Sequence, residues 1–280
     1  MKTCDLHCHS TFSDGTLTPT ELIALAKKQG LSALALTDHN TAGGLPEFVE
    51  AGRKAGLTAV AGCEFSTEYD GRELHVVGLF FPERAWAEID DFVEHMHEAK
   101  RNANRKLISA LRADGYDVTY EEAAALTETG DFNRAHIARV LLAKGQVESV
   151  KAAFDSILSE GGGYYVPARK LSSISTIRFI KMYGGVAVLA HPFLNLDYDG
   201  LLGFLPEAKK AGLDAIETRY TEFDGETTRK ADELAERFGL LHSGGSDFHG
   251  ETKPNISLGT GYGDLCVPYG YYEALAVRAG

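Results

Sequence analysis

Cysteine, basic charge and long apolar runs are all scarce in this chain, and each shortage removes a class of protein. The four cysteines, Cys4, Cys8, Cys63 and Cys266, contain no Cys-x-x-Cys pair and no disulfide-framework spacing. A thiolate metal site and a disulfide-stapled scaffold are therefore not expected. Three of the four lie in apolar, strand-like segments and read as small buried hydrophobes. Lys and Arg number 28 against 40 Asp and Glu, a net charge of −12. A surface for duplex nucleic acid is normally basic, so no duplex partner is expected, although a few local Arg and Lys suffice for a single nucleotide. No apolar run is long enough to span a membrane and no signal peptide is apparent. Neither a membrane partner nor export is expected, and the default compartment is a reducing cytoplasm. Internal repeats and low-complexity tracts are also absent.

What remains is 280 residues of ordinary globular composition, enough for one large α/β domain or a domain with an insertion. Short apolar runs at Thr3–His7, Ala33–Thr37, Thr58–Cys63, Leu74–Phe81, Gly185–Ala190, Ala215–Thr218 and Leu240–Gly244 read as strands. Helical periodicity fills several gaps between them, for example after the Thr18-Pro19-Thr20-Glu21 start signal. Gly30, Gly56, Gly212 and Gly239 each follow a helix, where a left-handed C-cap is wanted. Strand–helix–Gly–strand units of this kind predict parallel β/α packing. Between about Pro82 and Tyr183 the pattern changes to helices alone, with a Gly161-Gly162-Gly163 break. The expected division is a discontinuous barrel of residues 1–82 and 184–280, with a helical insertion at 83–183 that shapes the substrate site.

Nine residues that bind metals well are scattered along the chain, most of them where a predicted strand ends. They are His7, His9, Asp14, His39, Glu64, His75, His191, Asp247 and His249. On an extended chain, residues i and i+2 share a face, so His7 with His9, and Asp247 with His249, are suited to share an ion. His95 and His97 have the same spacing in a predicted helix, where i and i+2 diverge, and are not counted. Asp5 and Asp38 read as partners that orient histidines. Six imidazoles and three carboxylates without a thiolate favour Zn, Mn or Fe. Nine ligands are too many for one ion, so a bridging carboxylate with two or three divalent ions is expected. Such a cluster activates water and neutralises an attacked phosphate, which makes phosphoester hydrolysis the leading chemistry.

A second group points the same way. Asn133-Arg134-Ala135-His136 opens a predicted helix in the insertion, and a helix N-terminus favours an anion. Arg134 and His136 are the expected phosphate contacts; Arg169 and Lys170 are weaker candidates.

Asp5–Ser10 with Asp14-Gly15, Leu36-Thr37-Asp38-His39, Gly62-Cys63-Glu64, Leu189-Ala190-His191-Pro192 and Gly245-Ser246-Asp247-Phe248-His249 together resemble the motif series of the PHP (polymerase and histidinol phosphatase) family of metal-dependent phosphoesterases. The resemblance runs through nearly the whole chain, in order. It implies a distorted, TIM-like (β/α)7 barrel with up to three metal ions. His7, His9, Glu64 and Asp247 would hold one, Glu64, His75 and His191 the second, and Asp14, His39 and His249 the third. Asn133–Arg139, Gly163–Pro167 and the insertion are most similar to the small stand-alone bacterial members. These include a 3′,5′-nucleotide bisphosphate phosphatase and a 5′→3′ exoribonuclease acting on short RNA. The implied partner is a small phosphorylated substrate, a nucleotide with two phosphates. Exonucleolytic trimming, for which Tyr164, Tyr165, Arg169 and Lys170 would line a groove, is the alternative. Histidinol phosphate and a non-catalytic nucleotide- or metal-binding role are the remaining alternatives. Asn40 stands where many relatives carry Asp; the change leaves the nine ligands intact, alters contacts to the leaving group or third ion, and makes Asn40 a weaker candidate for a substrate-phosphate contact.

Overall fold

The computed structural model describes residues 2–127, 132–159, 162–166 and 170–279, with His95 described by its backbone alone. Two compact units result, Met1–Val93 with Lys170–Gly280, and Glu94–Arg169.

The first unit opens with β1 (Cys4–Asp5), α1 (Pro19–Lys28), β2 (Ala33–Leu36) and α2 (Leu45–Ala55), and continues through β3 (Thr58–Tyr69) and β4 (Arg72–Leu79). The helix α3 (Trp86–Ala113) crosses the unit boundary; α4 (Tyr120–Ala124), α5 (Arg134–Ala143) and α6 (Val150–Asp155) belong to the second unit. The chain then returns through β5 (Leu171–Ser172), α7 (Ser173–Met182), β6 (Val186–Leu189), α8 (Tyr198–Ala211), β7 (Ala215–Tyr220), α9 (Gly225–Phe238), β8 (Leu241–Gly245) and α10 (Tyr269–Ala276). Local chemistry explains the helix ends. Thr18 and Glu21 form a reciprocal capping box on α1, with Pro19 in its first turn. Gly56, Gly212 and Gly239 are left-handed caps, as their positions in the sequence predict.

The strands pair in the order β1-β2-β3-β4-β6-β7-β8, with β5 on the side of β3. The ring closes where Leu6 N–H donates to Gly244 O at 3.1 Å and Cys8 pairs with Phe248. The result is a distorted barrel of seven ring strands among the described residues. One strand departs from the expected parallel pattern: β4 runs antiparallel to both β3 and β6. The cause is local. Asp70 and Gly71 both have positive φ, the backbone of a two-residue hairpin turn, and they fold β4 straight back along β3. That hairpin also carries β3 on to Tyr69, past the expected end at Cys63.

Both faces of the short strands are buried, which is why they read as continuous apolar runs. Leu34 and Leu36 join the surrounding helices in one core. Ala33 and Ala35 face the barrel interior with Leu6, Val60, Val77 and Val188, closed off by Leu275 of α10. Ile89 and Val93 of α3 and Ile174, Ile177 and Ile180 of α7 pack in the helix-side core. For this reason the second unit is narrower than the span 83–183. Its own core comprises Leu107, Leu111, Val118, Ile137, Leu141 and Leu158. Cys4, Cys8 and Cys63 are buried free thiols, as their apolar settings predict. No helix among the described residues is long and apolar enough to cross a membrane.

Candidate metal centre

Most strands of the first unit deliver a polar residue to one end of the barrel. His7 and His9 follow β1, His39 follows β2, His191 follows β6, and Asp247 and His249 follow β8. Glu64 lies within β3. His75 lies in the first half of β4, yet arrives at the same end because β4 runs the other way. Ser66 is its register partner, so His75 and Glu64 sit on one face of the hairpin as diagonal neighbours. Asp14 comes from the loop after β1. Gly245 and Gly15 permit this crowding: a Cβ on Gly245 would overlap His7, and one on Gly15 would overlap the His9 carbonyl.

All nine expected ligands meet around Glu64. Its Oε2 is 3.1 Å from His7 Nε2, 3.2 Å from His9 Nε2 and 3.2 Å from His39 Nδ1. Its Oε1 is 2.8 Å from His75 Nδ1 and 3.0 Å from His191 Nε2. Asp247 Oδ1 lies 3.1 Å from His9 Nε2, and Asp14 Oδ1 lies 3.2 Å from His249 Nε2. Three groups of donor atoms fall within 4.8 Å of one another: His7, His9, Glu64 and Asp247; His39, Glu64 and His75; and His9, Asp14, His39 and His249. His9 and His39 therefore each belong to two groups, an overlap that the motif order does not reveal. Asn40, His191 and Asp247 all have positive φ, the left-handed backbone that non-glycine residues avoid. Such strain gathers where function needs a side chain aimed in one direction.

A divalent cation fits these residues. His7 Nε2, His9 Nε2, His39 Nδ1 and Glu64 Oε2 are buried side-chain atoms with no hydrogen-bond partner among the described residues. An unpaired polar atom away from water is costly, and here four of them converge on the same few ångströms. A cation among the lone pairs resolves all four at once. Charge tells the same story. Burial disfavours ionised Glu64, but His7, His39 and His75 outweigh it and hold the carboxyl well below the usual range. Burial likewise opposes protonation of His9 and His75, yet the adjoining carboxylates prevail and raise them to about 9 and about 10. Without a metal the carboxylates draw protons instead. His39 is the exception: burial dominates and lowers it to about 4. Solvent reaches the cluster at Asp14, whose side chain is 52% exposed, whereas Glu64 is 1% exposed.

Several neighbours were not anticipated. Glu217 of β7 bonds His7 Nδ1 at 2.8 Å and accepts the His191 N–H at 2.6 Å. The second oxygen of Asp247 accepts from Tyr220 Oη at 3.0 Å and Lys253 Nζ at 2.7 Å. Asp5 and Asp38, expected to orient imidazoles, bond no imidazole among the described residues. Asp5 accepts from the backbone of His7, Ser246 and Gly259 and from the Ser246 hydroxyl. Asp38 accepts from Ser10 and Ser13. They brace the loops rather than the rings, because short aspartates beside the chain reach backbone first. A period-2 reading of β7 would have found Glu217, since it shares the inward face with Ala215.

The remaining candidates have local partners. Asn40 exchanges hydrogen bonds with Ser66 through its amide. Lys170 pairs with Glu73 at 2.8 Å, and Glu73 is 3.4 Å from His75 Nε2. In the second unit, His136 closes a capping box with Asn133 at the start of α5. Arg134 donates to Leu158 O at 2.8 Å and lies over the Tyr165 ring, 3.9 Å from its centroid. Arg169 lies outside the described residues.

Residues 5–166 match the PHP domain family. The chain is 33% identical over 249 residues to a 5′-3′ exoribonuclease of Haemophilus influenzae, covering 89% of this chain and 90% of that protein. It is 31% identical over 251 residues to a 3′,5′-nucleoside bisphosphate phosphatase of Chromobacterium violaceum, covering 89% and 88%. A solved structure of an amidohydrolase from Chromobacterium violaceum, with bound sulfate and no metal, superposes with a TM-score of 0.74 at 30% identity, covering 99% of this chain and 96% of that one.

Proposed function

This chain belongs to the PHP family of metal-dependent phosphoesterases, and we propose that it removes a phosphate from a nucleotide carrying both 3′ and 5′ phosphates. The observation that carries the reading is the convergence of buried, unpaired imidazole and carboxylate atoms on Glu64. His7, His9, Glu64 and Asp247 would hold one ion. Glu64 Oε1, His75 and His191 would hold a second, and Asp14, His39 and His249 a third, with Glu64 shared. Two or three ions of Mn, Fe or Zn suit this donor set. Bound there, they would polarise the phosphoryl group and lower the pKa of water.

The chain's own residues supply placement. Glu64 holds the centre of the cluster, and its position in the β3–β4 hairpin keeps both oxygens in use. Asp14 and His39, on the exposed side, are where a phosphate would first meet the cluster. Arg134, an obligate donor at the start of α5, and His136 are proposed to contact a substrate phosphate, with Asn40, Arg169 and Lys170 as lesser candidates. Similarity to the bisphosphate phosphatase supports the nucleotide substrate, and the unpaired thiols agree with a cytoplasmic setting.

Purified protein loaded with Mn should release inorganic phosphate from adenosine 3′,5′-bisphosphate, and His9→Ala should not. Undiminished turnover by that variant overturns the proposal. Exonucleolytic trimming is the second reading, favoured by the similarity to the Haemophilus exoribonuclease. End-labelled RNA oligonucleotides separate the two: shortening at a rate matching bisphosphate hydrolysis favours the exonuclease.

A further inference from the structure

Glu217 is 1% exposed, and its two oxygens serve two different ligands. Oε1 lies 2.8 Å from His7 Nδ1, and Oε2 accepts the backbone N–H of His191 at 2.6 Å. With a proton on Nδ1 shared toward Glu217, the lone pair of a neutral His7 ring is on Nε2. That is the nitrogen left without a hydrogen bond, 3.1 Å from Glu64 Oε2 and 3.6 Å from Asp247 Oδ1. His191 has φ of 27°, a backbone that needs an outside partner to hold it. Its Nε2 sits 3.0 Å from the other oxygen of Glu64. One carboxylate thus anchors a ring on one side of Glu64 and a backbone on the other.

We propose that Glu217 is a positioning residue that sets the His7 tautomer and the His191 backbone together, and through them the metal affinity on both sides of Glu64. The inference rests on the metal-centre reading above. It requires two acceptors, because in the tautomer that leaves His7 Nε2 free for an ion both partners donate. A glutamine that accepts from the His191 N–H presents its own N–H to His7 Nδ1 and so selects the tautomer with the proton on Nε2; turned the other way, its N–H faces the His191 N–H.

The test compares full-length wild type, Glu217→Gln, Glu217→Asp and Thr218→Val. Thr218 is the next residue on β7, buried, and its hydroxyl meets His242 instead of the cluster. Free Mn is followed by electron paramagnetic resonance during titration, and thermal unfolding of each metal-free protein is recorded alongside. The Mn dissociation constant of Glu217→Gln should rise about 10–100-fold, the range for partners that orient metal-binding histidines. Glu217→Asp, too short to reach both partners, should also weaken, and it decides the matter should the Gln variant not fold. Thr218→Val should bind Mn like wild type even if its melting temperature falls. Wild-type affinity in a folded Glu217→Gln, or in Glu217→Asp where Gln does not fold, overturns the proposal, as does an equal loss in Thr218→Val. A wild-type protein that binds no Mn overturns the metal-centre reading itself.

Discussion

In the barrel unit, His7 Nε2, His9 Nε2, His39 Nδ1 and Glu64 Oε2 are buried without partners. In the helical unit, His136 is engaged in its own helix cap, and Arg134 is bonded to Leu158 and stacked on Tyr165. Polar clusters of these two kinds look alike in a sequence and differ in what explains them. A cap accounts for His136 with no ligand. Among the described residues no hydrogen-bond partner accounts for three imidazole nitrogens facing one carboxylate oxygen; without an ion the cluster must hold extra protons, whereas a cation satisfies it directly. The difference teaches that unsatisfied burial, more than the mere presence of His or Arg, marks a site waiting for an ion. The phosphate role of Arg134 and His136 has to be demonstrated by substitution.

The comparison breaks most readily at Glu64. Glu64→Gln removes the charge that both sides of the cluster share, and phosphate release should fall below detection together with the metal content measured by plasma mass spectrometry. Normal metal content and turnover in this variant would contradict the account. Chelation is the reversible version. Metal-free protein should be inactive and regain activity with Mn. At Mn about 100-fold above its dissociation constant, the protein should gain about 2.7 kcal/mol of stability, read by thermal or denaturant unfolding.

Protons sharpen the contrast further. In metal-free protein the carboxylates raise His9 to about 9 and His75 to about 10. A raised folded-state value contributes stability that is complete below the unfolded value, about 6.5 for His, and is lost as pH climbs through the folded value. The melting temperature of metal-free protein should therefore decline between about pH 6.5 and 10, while apparent metal affinity rises over the same window. A melting temperature that climbs across it would contradict the assignment.

Smaller effects are expected from the helical unit. Arg134→Ala should raise KM for a bisphosphate by about 10–100-fold, the worth of roughly 1.5–3 kcal/mol for a charged hydrogen bond, and leave metal content unchanged. An unaltered KM would leave Arg134 a structural role, bonded to Leu158 and stacked on Tyr165. Asn133→Ala, which removes the cap of α5, should cost about 0.5–2 kcal/mol in stability, seen as a lowered melting temperature with metal binding intact.

Much of the barrel was legible because its signals are local. The seven apolar runs and the glycines at helix ends each depend on neighbours a few residues away. The antiparallel β4 escaped because the Asp70-Gly71 turn lies in a segment read for parallel units. It matters, since only that reversal brings His75 to the ligand end. Glu217 escaped for another reason: no His or Cys stands beside it, and its partners lie at positions 7 and 191. The aspartates beside the histidines drew attention by adjacency, and proximity in sequence proved a poor guide to which carboxylate bonds a ring.

Residue type and order alone determined the candidate donor set of this protein: six imidazoles and three carboxylates, spaced along strand ends, with no thiolate among them. Tertiary structure decided which nitrogen of each ring faces inward, that the two oxygens of Glu64 divide the histidines between them, and that Glu217 steadies His7 and His191. The physical reason is range. Hydrogen bonds and ion pairs act over about 3 Å and depend on angle, and the separation of two residues along a chain says nothing of either until the barrel has closed.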